Sequence, residues 1–90
     1  CDVAKAAQFI CEDTGRMLEV YTDQPGMQLY VASQPMKQPG KNGKIYDSRT
    51  SVCLETQHFP DAINHDNFPS IVLHPDAPFH SKTLYHFSTF

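Results

Sequence analysis

The sequence contains no apolar run near the ~20 residues that a membrane-spanning helix needs, and no charged segment followed by an apolar one that would mark a signal peptide. It also lacks a basic run: seven Lys and Arg are scattered through 90 residues, against ten Asp and Glu, for a net charge of −3. Binding to a phosphate backbone needs clustered positive charge, so neither nucleic acid nor a membrane is expected as a partner. These absences predict a cytoplasmic globular protein of at most one small domain.

Cysteine is scarce: the chain has an odd number, three, and they are not regularly spaced, at Cys1, Cys11 and Cys53. A disulfide framework usually has both features, so we expect free thiols in a reducing compartment. Because Cys behaves as a small hydrophobe, we expect Cys11 and Cys53 to be buried in apolar strands and slow to react.

Spacings that would mark a metal site, a phosphate loop or a nucleophile are absent as well. The five histidines lie six to nine residues apart, and none pairs with a second ligand at a metal-site spacing. The segment "PGKNGK" has neither the spacing nor the strand-to-helix setting of a phosphate loop, and no Ser elbow or Cys–His signature occurs. Spacing alone therefore predicts a β domain of unknown role.

No segment has the 3.6-residue period of an amphipathic helix, although "PDAIN" could make one short turn. Strands are predicted instead, with turns at Gly15 and Gly26, both expected at positive φ, and a long exposed loop over residues 34–44. Several strands carry apolar groups on both faces, as strands between packed sheets do. The predicted class is all-β, and we expect the chain to be a piece of something longer. The predicted strands cover residues 8–11, 16–22, 27–33, 51–57, 70–76 and 82–90.

Three segments in order, "GRMLEVYTDQPGMQLY", "CLETQHFPDAINHDNFPS" and "IVLHPDAPFHSKTLYHFS", together resemble the C-terminal part of the galactose mutarotase (aldose 1-epimerase) family. The resemblance implies that residues 1–90 are the C-terminal portion of an aldose 1-epimerase domain. The family fold is a large antiparallel β-sandwich, which this chain alone would leave incomplete. The implied activity interconverts the α and β anomers of aldohexoses such as galactose or glucose, by opening the ring and closing it again.

The resemblance also carries over two site residues. In the family the Glu of the "CLETQ" strand is the general base, which implies that Glu55 takes the proton from the C1 hydroxyl. A sugar-binding Gln follows the Pro-Gly turn, which implies this role for Gln28 in "PGMQLY"; a neutral amide can both donate to and accept from sugar hydroxyls. Partial burial of Glu55 against Leu54 and Phe59 would suit a base that works near neutral pH. No His of this chain matches the family's acid motif, so the acid His is expected from a missing upstream segment.

Two departures from the family pattern keep other interpretations open. After "QLY" the family usually has Thr-Gly-Asn-Phe, where this chain has Val31-Ala32-Ser33-Gln34, and before "CLET" a His-Ser-Gly step is replaced by Arg49-Thr50-Ser51. Besides the aldose 1-epimerase, two other interpretations remain. One is a non-catalytic carbohydrate-binding or scaffolding relative of the same fold, and the other is a small β domain of unrelated function. Under the enzyme interpretation the partners are an aldohexose and the remainder of the domain, in the same chain or another. No metal or organic cofactor is implied, because a carboxylate and an imidazole suffice for proton transfer.

Overall fold

The computed structural model describes residues 2–34 and 37–90. Its regular elements there are strands and two 3-10 turns, so the predicted all-β class is confirmed. None of the helical turns in those ranges is long and apolar enough to cross a membrane. The 3-10 turns span Lys41–Gly43 and Ala62–Asn64, the second within the predicted short turn. The strands are β1 (Ala4–Cys11), β2 (Arg16–Thr22), β3 (Gly26–Val31), β4 (Gln38–Pro39), β5 (Ile45–Tyr46), β6 (Val52–Gln57) and β7 (Thr83–Thr89).

The larger sheet is antiparallel, with strand order β1-β2-β7. Its hairpin closes over the predicted turn: Gly15 has a φ of 71°, and its N–H donates to the carbonyl of Cys11 at 2.9 Å. β2 lies in the middle and places Val20 opposite Tyr85 of β7. Opposed residues of an antiparallel pair share a face, and the fully buried Val20 marks this face as the one that packs inward.

The smaller sheet pairs β3 with β6, also antiparallel. Its register sets Leu29 opposite Leu54, and Gln28 opposite Glu55. Since successive strand residues point to opposite faces, one face carries the two leucines and the other carries Gln28 and Glu55. Leu54 is buried, and the Tyr85 hydroxyl of β7 donates to its carbonyl at 2.6 Å, which links the two sheets.

The predicted exposed loop over residues 34–44 contains a small element of its own. β4 and β5 pair as a two-residue hairpin around the first 3-10 turn. The Tyr46 ring lies against Gly40, where an added Cβ would approach the ring to 2.5 Å. The part of the loop at residues 35 and 36 lies outside the described residues.

Residues 70–76 do not form the predicted strand. They contribute a single isolated bridge, between His74 and Ala77. Pro75 and Pro78 lack the backbone N–H that a continuing ladder would need, so the apolar segment "SIVLHPD" remains an exposed connection to β7.

The expected burial of the thiols is wrong for the two described cysteines. Cys11 and Cys53 are free, as expected, but both are exposed. Cys11 ends β1 at the hairpin turn, where the sheet edge meets solvent. Cys53 lies on the same face of the smaller sheet as Gln28 and Glu55. Cys1 lies outside the described residues.

The described chain has a very small core. Among its large apolar and alanine side chains, only Val20, Leu54 and Ala62 are buried, whereas sixteen large apolar side chains are exposed. The radius of gyration is 16.9 Å, while a compact domain of 90 residues has about 12 Å. The two sheets therefore present apolar faces that nothing within the described residues covers.

Candidate functional site

The two residues that the family resemblance singles out face each other across the smaller sheet. Gln28 on β3 is the register partner of Glu55 on β6, although 26 residues separate them in the chain. Directly opposed residues of an antiparallel pair have Cβ atoms about 4.5–5.5 Å apart on the same face. Both side chains are exposed. The structure thus places a carboxylate and an amide side by side, where one small polar ligand could contact both.

Four further residues share this face, because strand residues alternate in direction. On one side of the central pair Tyr30 stands opposite Cys53, and on the other Gly26 stands opposite Gln57. We call this set the Gln28–Glu55 face: Gly26, Gln28 and Tyr30 from β3, and Cys53, Glu55 and Gln57 from β6.

One end of the Gln28–Glu55 face is closed by an aromatic ring. A Cβ added to Gly26 would lie 3.0 Å from two carbons of the Phe59 ring, so the ring occupies the position that a side chain would fill. Phe59 is held in turn by an edge contact with Phe68, with ring centroids 5.1 Å apart at 61°. Gly26 is therefore needed for close packing. The expected positive φ at Gly26 is wrong, since the positive-φ glycines of the described chain are Gly15 and Gly43.

The expected partial burial of Glu55 is also wrong for the described residues. Leu54 points to the opposite face of the strand, because it is the neighbour of Glu55 in sequence. Phe59 packs over Gly26 instead. Glu55 is consequently an exposed carboxylate, and any apolar cover over it must come from outside the described residues.

A chain of hydroxyls fixes the end of β6 against the larger sheet. The Oγ1 atoms of Thr56 and Thr83 lie 2.7 Å apart, and those of Thr83 and Thr22 lie 3.2 Å apart. Thr22 donates to the carbonyl of Lys82 at 3.1 Å and accepts from the N–H of Gln24 at 3.1 Å. Each hydroxyl has a single proton to donate. Because Thr22 donates to the Lys82 carbonyl, Thr83 must donate to Thr22, and Thr56 must donate to Thr83. This chain ties together β2, β6, β7 and the turn that leads into β3.

Thr22→Val is expected to destabilise the fold. Thr22 is 4% exposed, and valine keeps its shape but removes both the donor to Lys82 and the acceptor for Gln24. Loss of hydrogen-bond partners at a buried site costs about 1–3 kcal/mol. Urea unfolding measures the change, with the exposed Thr89→Val as a matched control expected within about 0.5 kcal/mol. A Thr22→Val protein as stable as the control would show that this hydroxyl chain contributes nothing.

The two segments that depart from the family pattern meet at the other end of the Gln28–Glu55 face. The N–H of Ala32 donates to the carbonyl of Ser51 at 3.4 Å, and the N–H of Arg49 donates to the carbonyl of Ala32. Arg49 has a φ of 60°, a left-handed conformation that is uncommon outside glycine and asparagine. These contacts lie directly beyond the Tyr30–Cys53 pair, so both departures change the same end of the face.

A cavity of about 740 Å³ lies elsewhere, between the β2–β3 turn and the long loop before β7. Three polar side chains of its lining, Asp23, Gln24 and His58, already have hydrogen-bond partners. The Gln24 amide contacts His58 Nδ1 at 2.8 Å and donates to Ser81 Oγ at 3.1 Å. The backbone N–H of Lys82, 3.0 Å away, holds the pKa of Asp23 below its usual value. Within the described ranges no three His, Cys, Asp or Glu side chains are grouped to hold a metal. This cavity is therefore a weaker candidate for a functional site than the Gln28–Glu55 face.

The sequence assigns no role to the other residues that shape this face. The alternation of the strand after Gly26 already places Tyr30 on the same face as Gln28, but it does not indicate what that side chain does. No local pattern indicates that Phe59 folds back over Gly26, because the contact depends on the path of the loop after β6.

Comparison with known proteins gives consistent matches over most of the chain. The family model described as Aldose 1-epimerase matches residues 3–86. Galactose mutarotases from Homo sapiens and Rattus norvegicus are each 44% identical over 78 residues, which cover 83% of this chain and 22% of each relative. Aldose 1-epimerase from Escherichia coli (strain K12) is 30% identical over 84 residues, covering 91% of this chain and 24% of the relative. The chain thus spans less than a quarter of the length of these relatives.

Proposed function

Because this chain belongs to the aldose 1-epimerase family, we propose that it carries the general base and a sugar-binding residue of an aldose 1-epimerase. The reaction interconverts the α and β anomers of aldohexoses such as galactose or glucose. One observation carries the proposal: Gln28 is the register partner of Glu55 on an exposed face. Two residues that the family resemblance implies separately thus lie side by side, which supports the proposal that they act in one site.

In the proposed mechanism, Glu55 accepts the proton of the C1 hydroxyl while an acid protonates the ring oxygen O5. The electrons of the O–H bond form the C1 carbonyl, and the C1–O5 bond breaks with its electron pair moving to O5. Rotation about C1–C2 turns the other face of the carbonyl toward the new O5 hydroxyl. Reclosure returns both protons and inverts C1. Gln28, beside the base, holds a neighbouring hydroxyl through its amide, so the sugar stays aligned during the rotation.

The acid is a His supplied by the remainder of the domain, in the same chain or another. Residues 1–90 would be its C-terminal portion, and their exposed apolar faces would pack against the rest of a β-sandwich. The coverage of relatives, at 22–24% of their length, supports this division. The free thiols of Cys11 and Cys53 fit a cytoplasmic location. No cofactor enters the mechanism, because two proton-transfer groups complete it.

Polarimetry tests the proposal in the complete protein that carries this chain. Freshly dissolved α-D-galactose or α-D-glucose should approach its equilibrium rotation faster than the spontaneous rate, in proportion to protein concentration. If the protein does not accelerate the mutarotation of any aldohexose above the spontaneous rate, the enzyme assignment is contradicted.

Gln28→Ala is expected to weaken sugar binding more than it slows turnover. Removing a neutral hydrogen-bonding partner typically costs about 0.5–1.5 kcal/mol, which corresponds to a rise in KM of roughly two- to tenfold. Steady-state polarimetry over a range of galactose concentrations separates KM from kcat. Gln38→Ala, an exposed Gln of β4, is the matched control and should keep parental kinetics. Unchanged KM in Gln28→Ala would remove Gln28 from the site.

The second candidate function is a non-catalytic sugar-binding relative of the same fold. It is favoured by the position of the two departures, which meet at one end of the Gln28–Glu55 face. With an altered backbone at this end, the protein could still bind the sugar but hold its C1 atom away from Glu55. Saturable binding of galactose without any acceleration of mutarotation would replace the enzyme by this binding role.

A further inference from the structure

We propose that the sugar extends from the Gln28–Glu55 pair toward Tyr30 and Cys53, and that Tyr30 is a substrate-contacting residue that orients the hexose ring. The inference rests on the proposed function, because it assumes that an aldohexose binds at Glu55. Beyond the proposed function, it gives the direction in which the sugar extends from Glu55 and names a residue that orients the hexose ring.

The direction follows from what occupies each end of the Gln28–Glu55 face. At the Gly26–Gln57 end, the Phe59 ring sits where a side chain of Gly26 would be, and Phe68 supports the ring from its edge. Nothing larger than a hydrogen atom fits on Gly26 without moving that ring. Along the strands, a ligand seated on the central pair is therefore blocked on this side by the Phe59 ring, and the direction toward Tyr30 is open.

The opposite end offers an open aromatic surface. Among the described residues nothing covers it: Tyr30 is 47% exposed, and its register partner Cys53 is exposed as well. Tyr30 is the diagonal neighbour of Glu55, and such neighbours lie about 7–8 Å apart, within reach of an aromatic side chain. With C1 at the Glu55 carboxylate, the rest of the pyranose ring lies within reach of the phenol. An aromatic ring with a polar tip can cover the C–H side of a sugar and also bond to a hydroxyl.

The position of Tyr30 has a consequence for hexose preference. With C1 at Glu55, the end of the sugar remote from C1 lies toward Tyr30, two strand residues along β3 from Gln28. Hexoses that differ at a position remote from C1, as galactose and glucose do at C4, therefore present that difference to the Tyr30 side chain.

Thiol labelling in the complete protein tests the direction without relying on turnover. Cys53 should react with iodoacetamide more slowly when galactose is bound, by a factor of 1 + [L]/Kd, which is about tenfold at nine times Kd. Cys11 is the internal control, because it lies at the hairpin of the other sheet. The Thr14 side chain holds the pKa of Cys11 below its ordinary value, so this thiol should label readily at a rate that sugar leaves unchanged. Peptide mass spectrometry reports the two thiols separately.

Kinetics of Tyr30 variants provide the second measurement. Tyr30→Ala should raise the KM for galactose roughly three- to tenfold, the range expected of an aromatic contact, with a smaller effect on kcat. Tyr30→Phe keeps the ring and should restore most of the affinity. The ratio of KM values for galactose and glucose should change in Tyr30→Ala, which a purely structural role would not produce.

The outcomes separate this inference from the proposed function. If mutarotation is accelerated but Cys53 is not protected, or if Tyr30→Ala keeps the parental KM, the inference is overturned while the enzyme assignment stands. A Cys53 that resists labelling without sugar overturns it too, because a site open to a hexose is open to the smaller reagent. If the protein neither binds an aldohexose nor accelerates its mutarotation, the proposed function is overturned, and this inference is overturned with it.

Discussion

Glu55→Gln in the complete protein that carries this chain is expected to lower the rate of mutarotation by ~10²–10⁴, the usual cost of losing a positioned base. Glutamine matches the size of glutamate and keeps most of its hydrogen bonds, but it cannot take the proton of the C1 hydroxyl. Sugar binding should therefore survive within several-fold, since the amide still stands beside Gln28. Polarimetry of α-D-galactose measures the rate after subtraction of the spontaneous reaction, and equilibrium titration measures binding.

The matched control is Glu12→Gln, which makes the same chemical change at an exposed position in the β1–β2 turn. It removes one negative charge from the chain without touching the Gln28–Glu55 face. Parental turnover in the control and a large loss in Glu55→Gln would separate the local role of the carboxylate from the effect of net charge. Near-parental turnover in Glu55→Gln would reject the base assignment.

The local structure around Glu55 could be predicted from sequence, but the residue opposite it in the sheet could not. Turn residues and β-forming runs fix the hairpin at Gly15 and the two strands that carry Gln28 and Glu55, because these signals act over a few residues. The register between those strands is a long-range choice, and a shift by one residue would turn each side chain to the other face. Only the fold places the amide opposite the carboxylate.

The wrong predictions share a cause, since each concerns what lies against a segment rather than the segment itself. Residues 70–76 are apolar enough for a strand but find no partner among the described residues apart from a bridge at His74. Gly26 follows a proline, as a turn glycine would, yet its lack of a side chain makes room for Phe59. Cys11 and Cys53 have apolar sequence neighbours but lie where nothing in the described chain covers them.

The uncovered apolar faces of the described chain also have a thermodynamic consequence. The accessible surface is 7340 Å², whereas a compact monomer of this mass exposes about 5,300 Å². The excess of about 2,000 Å² is well above the roughly 800 Å² that each partner buries in an ordinary protein interface. Much of it is apolar, including Phe87 at 75% exposed, Phe9 at 48% and Leu29 at 56%. A core of Val20, Leu54 and Ala62 cannot offset the conformational entropy that folding removes, of order 1 kcal/mol or more per residue.

The 90-residue chain expressed alone is therefore expected to lack a cooperative unfolding transition. Urea titration at low protein concentration, followed by circular dichroism, should give a shallow, featureless change, and a dye that binds exposed apolar surface should be bound before any urea is added. The same chain within the complete protein should unfold with a steep transition, because its apolar faces then have a surface to pack against. A sharp two-state transition of the isolated chain, at a midpoint independent of concentration, would mean that the β1-β2-β7 and β3-β6 sheets hold together without that surface. The remainder of the domain would then be needed only for the acid and the other sugar contacts, and not for folding.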